Sequence, residues 1–328
     1  RVRWETTSRY ATPNTELNDL GFVTLINDLM LRNQVSFSNL VPRGMYRRLN
    51  GVLNAEQHWT TGGLPTGFST LVHGSAEFSN FWQGYFSWNN SQLGATHCVS
   101  CSRGGPALRV SPRSTFFLGA DGDARRAIIP FVELGVARGD EGQSWSRFGN
   151  GGVTARAGAR TSLTLSASYE RRTDDAQWLR NFGDMFSDTT HHAFTRLAQN
   201  IMGITLRANV TVTPRLSFEL YAQPFIATGE RSALRELADP YAKSYDARYA
   251  AFAPAGFALS DYNSRQFNSN AVLRWEYRPG SVLFLVWQQG RVSGAANGRF
   301  DLGDDLGDLF GERPDNTLLL KASYWLNP

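Results

Sequence analysis

The final strand-like run of this chain alternates strictly. Leu318, Leu320, Ala322, Tyr324 and Leu326 fall on one side, and Thr317, Leu319, Lys321, Ser323 and Trp325 on the other. Extended backbone sends successive side chains to opposite faces, so one apolar side at a period of two specifies a half-buried strand. Two similar runs precede it, joined by the tight turn Arg278-Pro279-Gly280-Ser281 and the long polar passage Val292 to Asp315. With Tyr324 and Trp325 near the end, this is the pattern of a closing hairpin in a transmembrane β-barrel, where lipid-facing and lumen-facing residues alternate between aromatic girdles.

Connection lengths extend the argument upstream. Working back from residue 328, long connections at 292–314, 229–264 and 173–192 alternate with tight ones at 278–281, 213–215 and near 158. Antiparallel strands with short turns at one end and long loops at the other are the arrangement of outer-membrane barrels. Strands are expected at 26–38, 46–60, 68–88, 108–118, 127–138, 146–155, 161–171, 197–212 and 216–228, besides a partial first run at 1–9 and the three terminal ones. The fold expected is one all-β, antiparallel transmembrane barrel domain of outer-membrane type over 1–328, with about thirteen strands (about 12–14). Single-chain bacterial barrels have an even number, so at least one further N-terminal strand is expected upstream of Arg1.

Charged residues make up 19% and aromatics 12% of the chain, fewer and more respectively than in an ordinary soluble domain. No eighteen-residue apolar run occurs, which excludes a membrane-spanning helix. The net charge of +4 is small and dispersed, and no basic cluster is combined with a stacking platform, so nucleic acid is not an expected partner.

Five ordered motifs carry a resemblance: Asn18-Asp19-Leu20-Gly21-Phe22, Asn80-Phe81-Trp82, Ser102-Arg103-Gly104-Gly105-Pro106, Leu220-Tyr221-Ala222-Gln223-Pro224-Phe225, and Val272 to Ser281. Together with Lys321-Ala322-Ser323-Tyr324-Trp325 they resemble the family catalogued as domain of unknown function 5916. The resemblance implies a barrel in the outer membrane of a Gram-negative bacterium, with outer-membrane lipid as partner and the C-terminus on the periplasmic side. It also implies an upstream carbohydrate-binding module of the family-nine type, absent here, through which carbohydrate would be a partner. Against the family pattern, a Cys-Val-Ser-Cys insertion precedes Arg103. The resemblance transfers no catalytic residue and no cofactor.

Cys98 and Cys101 form the sharpest local feature. Neither a thioredoxin-like helix N-terminus nor a haem motif surrounds them, and His97 with both cysteines gives zinc at most three ligands. A small loop disulfide in an oxidising compartment is the first reading; free thiols and a metal are the alternatives. Arg103, Gly104 and Gly105 form a loop that either receives an anion or folds inward as a plug, since glycine lets backbone N–H groups approach closely.

Arg207, Glu219, Arg274 and Glu276 are expected to form an inward charge layer, with Arg207 nearly opposite Glu219, holding the interior together or selecting solutes. His191 and His192, beside Asp184 and Asp188, point to opposite sides of an extended chain and are poor joint metal ligands. The acidic stretch Asp301 to Asp308 lacks the spacing of a calcium loop and is expected to be a solvated surface loop. No metal site is expected.

The functional expectation is an outer-membrane channel, receptor or anchor linked to surface carbohydrate binding or uptake, and not an enzyme. The alternative is a barrel-embedded hydrolase, for which His58, His73 and His97 are the available histidines.

Overall fold

The structure, a computed structural model, describes residues 1–15, 26–183 and 190–326. The motif at Asn18 to Phe22, Asp184 and Asp188 lie outside them. Strands follow in the order β1 (Val2–Ala11), β2 (Asp28–Asn39), β3 (Tyr46–Trp59), β4 (Pro65–Phe78), β5 (Gln83–Ser91), β6 (His97–Cys98), β7 (Leu108–Arg109), β8 (Arg113–Asp121) and β9 (Ile128–Gly139). Then come β10 (Ser144–Ala157), β11 (Thr161–Phe182), β12 (His191–Thr213), β13 (Leu216–Leu237), β14 (Tyr249–Ala251), β15 (Tyr262–Arg278), β16 (Ser281–Ala295), the helix α1 (Leu302–Gly311) and β17 (Asp315–Ser323).

Fourteen strands form one antiparallel path, β1-β2-β3-β4-β5-β8-β9-β10-β11-β12-β13-β15-β16-β17, while β14 pairs beside β13 and β6 pairs only with β7. Among the described residues β1 pairs only with β2, and β17 only with β16, so the sheet is open at both edges. Among the described residues no helix is long and apolar enough to cross a membrane, which says nothing of crossing by strands.

The run expected as a single strand at 68–88 is a hairpin. Ser79 to Trp82 turn the chain, with Phe81 at φ 66°, and Val72 pairs with Trp88. The register preserves side-chain parity, so Val72, Phe86 and Trp88 share a face whether the run is straight or folded back. Splitting it makes the path even-numbered, and the odd count that called for an upstream strand disappears.

Every connection longer than six residues lies at the same end of the sheet. At one end lie 40–45, 79–82, 122–127, 158–160, 214–215 and 279–280; at the other lie 12–27, 60–64, 92–112, 140–143, 183–190, 238–261 and 296–314. β11 and β13 each run 22 residues and β12 runs 23. At about 3.3 Å per residue they span about 70 Å, well beyond a hydrocarbon core of about 30 Å. The sequence reads 173–192 and 229–264 as polar loops, whereas 173–182, 191–192 and 229–237 extend these strands.

The two faces of the sheet are unlike. Cross-strand partners place Trp4, Val35, Leu53, Val72, Trp88, Phe116, Val136, Leu165, Leu206, Trp287 and Leu318 on one face. With the exceptions of Val292 and Leu319, every large apolar residue exposed on a strand belongs to it. The other face carries Arg32, Glu56, His73, Glu133, Thr164, Ser166, Glu170, Arg207, Gln223, Asn270 and Lys321, and on it Glu56 and Glu77 are shielded, at 18% and 15% exposure. Apolar side chains in the open and polar ones sheltered invert the order of a water-soluble fold. On the polar face, rings close over glycines of the neighbouring strand: Tyr85 over Gly119 and Phe148 over Gly135, where a Cβ would collide.

One exception to the exposed apolar face lies at the long-connection end. Residues 296–314 fold back over it, and Asp301 to Asp308, expected as a solvated loop, forms most of α1. Asp301 caps the helix through bonds from the Gly303 and Asp304 amides, each at 3.1 Å, and Asp305 and Leu309 are buried. Arg265 meets Asp305 at 3.0 Å and Asp308 at 2.5 Å. Asn263 donates to Asp305 at 2.7 Å, and Phe267 packs edge-on against Phe310. Thus Ile226, Thr228 and Arg265 are covered, while Leu318 and Leu320 stay 73% and 68% exposed.

Candidate functional site

Chemically diverse side chains converge where 92–112, 140–143 and 238–261 meet the upper parts of β11–β13. Cys98 and Cys101 are joined by a disulfide, and the ladder of Cys98 with Leu108 and His97 with Arg109 holds the loop's two arms together. Beyond it, Arg103 and Gly104 take positive φ values of 47° and 101°. Ser102 is fully buried and donates to the Pro106 carbonyl at 2.8 Å. The Arg103 guanidinium lies 4.1 Å over the Trp178 ring, and its carbonyl accepts from Asn181. Gly105 abuts the His192 ring, where a Cβ would overlap. The Arg103-Gly104-Gly105 segment is therefore docked on β11 and β12.

The loop 238–261 is pinned from two sides. Arg248, almost fully buried, donates to Ser111 Oγ at 2.9 Å and to the carbonyls of Ala242 and Lys243. The Tyr245 hydroxyl donates to Asp175 at 2.9 Å. Asp175 also accepts from Arg196 at 2.6 Å and Arg235 at 3.0 Å, so its charge is fully met. Its backbone N–H donates to Ser144, whose hydroxyl donates to Asp140 at 2.5 Å.

These parts enclose a cavity of about 600 Å³, onto which Arg103, Arg109, Arg248, Asp140, Asp174 and Tyr249 open. Burial pushes the Asp140 carboxyl above the usual carboxylate range; the Ser144 bond opposes this and the charges of Asp174 and Asp175 add to it. Burial likewise raises the Tyr245 and Tyr249 hydroxyls, so both remain donors. The cavity thus offers guanidinium forks, hydroxyl donors, carboxyls and aromatic faces. Groups of these kinds can hold a polar, hydroxyl-bearing ligand through hydrogen bonds and stacking, and the lining cysteine, being oxidised, supplies no nucleophile.

A raised acid pKa has a definite sign for stability. Below the ordinary carboxylate value of about 4 both folded and unfolded Asp140 are protonated and the shift contributes nothing. As pH rises from there through the raised folded value, stability is lost. Asp140→Asn, which keeps an acceptor for Ser144, is expected to raise the thermal midpoint at pH 8 and leave it unchanged at pH 3.5. Equal shifts at both pH values would count against the buried carboxyl.

A second cluster lies on the polar face of β1–β3. His58 Nδ1 meets Asp28 at 2.8 Å and Nε2 meets Glu56 at 2.7 Å, while Arg9 and Arg32 hold the outer oxygens of the two carboxylates. Ser69 and Ser91 line the same recess. With both ring nitrogens bonded to carboxylates, His58 has none free to take a proton from a serine hydroxyl, which a serine hydrolase requires. His73 sits on the polar face between Val52 and Ser87. His97 leans on Tyr241.

Arg207, Glu219, Arg274 and Glu276 all occupy the polar face but do not form the expected layer. Arg207 lies opposite Tyr221 and over its ring, and Glu219 lies opposite Asn209. The irregularity between Thr211 and Thr213 sets this register. Arg274 and Glu276 approach each other at 3.8 Å along one strand, and Glu276 also accepts from the Gly280 amide at 3.2 Å. His191 bonds Glu236 and His192 bonds Asn181, on separate partners. No group of three or more metal-ligating side chains occurs among the described residues.

Sequence reasoning missed Asp140, Asp174, Asp175, Tyr245 and Arg248. The one available signal was Asp140-Glu141-Gly142 at a turn and Asp174-Asp175 inside a strand, charges whose cost requires partners. A family model described as a domain of unknown function, DUF5916, matches residues 1–327. No curated protein and no solved structure matches the chain.

Proposed function

The chain belongs to the family of the domain of unknown function 5916, and on that premise we propose that it is an outer-membrane β-barrel protein acting as a receptor or channel for a polar, carbohydrate-like solute. One observation carries the reading: the exposed large apolar side chains of the strands lie almost entirely on one face, and the polar face is the sheltered one. Soluble monomers rarely expose more than a few hundred Å² of contiguous apolar surface, whereas a wall in lipid requires such a band. The even, antiparallel path supports closure. β1 and β17 run in opposite directions, so their free edges are oriented for an antiparallel ladder. The cavity at the long-connection end supplies aromatic faces and hydrogen-bonding forks suited to a sugar's hydroxyls.

Purified protein is expected to require detergent, to insert into planar bilayers, and to give discrete conductance steps that an oligosaccharide entering the cavity reduces. A protein that stays monodisperse without detergent and leaves the bilayer silent would sink the proposal. Insertion without conductance would restrict it to a receptor or anchor.

A further inference from the structure

Charge is divided between the two ends of the sheet. The short turns hold Arg43, Arg125, Arg126, Arg160 and Arg215 against one carboxylate, Asp123, while the long connections hold 6 basic residues against 14 acidic ones. Asp123 answers Arg125 and Arg126. Among the described residues Arg43, Arg160, Arg215 and Arg278 have no carboxylate within ion-pair reach. All four are exposed, one at or beside each of four different turns.

Exposed apolar side chains stand beside each of these charges. Leu40, Val41 and Met45, the last 81% exposed, share the turn with Arg43; Leu163 follows Arg160; Val212 precedes Arg215. Arg278 donates to the Tyr324 hydroxyl, next to exposed Trp325 and Leu326. A cation with an apolar anchor within a few residues fits the boundary between acyl chains and headgroups, where the anchor enters hydrocarbon and the guanidinium stays with phosphate. A soluble polyanion gives no use to the anchors.

We propose that Arg43, Arg160, Arg215 and Arg278 form a collar that binds the phosphate headgroups of anionic phospholipid in the leaflet facing the short turns. This rests on the membrane-embedded reading above. Guanidinium meets phosphate through paired N–H donors, and each basic residue near an anionic surface favours it by a factor on the order of five. The collar also gives the protein a charge-based orientation, basic turns towards phospholipid and acidic connections away.

The test uses the intrinsic tryptophans, of which Trp82, Trp275 and Trp325 lie at the turn end. Protein is reconstituted in vesicles containing brominated phosphatidylglycerol or brominated phosphatidylcholine, and quenching gives the relative binding constant of the two lipids. We expect a preference for phosphatidylglycerol of about fivefold or more. It should fall to near one in R43Q/R160Q/R215Q/R278Q, persist in the corresponding quadruple lysine variant, and persist in R299Q/R313Q at the opposite end. Equal constants for the two lipids in the unaltered protein overturn the collar whether or not any variant folds, as does a preference lost equally in R299Q/R313Q. Absence of quenching by either lipid defeats the membrane-embedded reading instead.

Discussion

Arginine in place of Leu165 is expected to lower the stability of the protein folded in phospholipid vesicles by about 2 to 4 kcal/mol, measured by urea titration followed by tryptophan fluorescence. Leu165 is 50% exposed and sits between Val153 and Leu206 on the apolar face. In water a half-exposed position tolerates arginine with little loss; in hydrocarbon the charge has no solvent. Ser166→Arg, one residue along and on the polar face, is the internal control and should cost much less. Equal losses at the two positions would remove the physical basis for a lipid-facing wall. The contrast depends on side-chain direction alone, since composition, strand and height are nearly the same.

The second large effect concerns the covering of the apolar face by 296–314. Arg265→Met leaves Asp305 buried, at 4% exposure, without the guanidinium that balances it. Removing one partner of a buried ion pair costs about 3 to 5 kcal/mol. Asp305 keeps bonds from Asn263 and the Asp301 amide, so the whole sheet should survive while α1 detaches. Limited trypsin digestion at Arg299 reads this directly: faster cleavage there in Arg265→Met is expected, and a double Arg265→Met/Asp305→Leu change should restore much of the protection. Unchanged cleavage would mean that the Phe267–Phe310 contact and the bonds from Arg291 to the Phe310 and Glu312 carbonyls suffice without the ion pair.

Alternation and turn chemistry made most of the strands readable. Pro214-Arg215 and Pro279-Gly280 mark their turns because proline fixes φ and Gly280 takes φ 78°, and the terminal run was legible because no other face could hold Leu318, Leu320 and Ala322 together. The hairpin at Ser79 to Trp82 was not legible. Phe81 and Trp82 read as strand residues, and only their contacts with neighbouring turns make them a corner: Arg47 and Arg125 both stack on Phe81. The acidic stretch at α1 was misread for a related reason. Its helix is held by Arg265, far back in the chain, so no local pattern announces it. The cavity was half legible. Cys98, Cys101 and Arg103 stood out by type, but the carboxyls opposite them lie on β11 and a turn whose proximity only the sheet order creates.

The path from β1 to β17 never skips a neighbour except to pass the short β6–β7 ladder and β14. Each rung of the main ladder therefore joins segments consecutive in sequence, which keeps the entropic penalty of bringing them together low for an all-β molecule. Such a wall can assemble by successive addition of hairpins from any starting pair. A break in 92–112 would divide the main sheet along a single seam, the nine-residue ladder between β5 and β8, and leave every other rung within one fragment or the other.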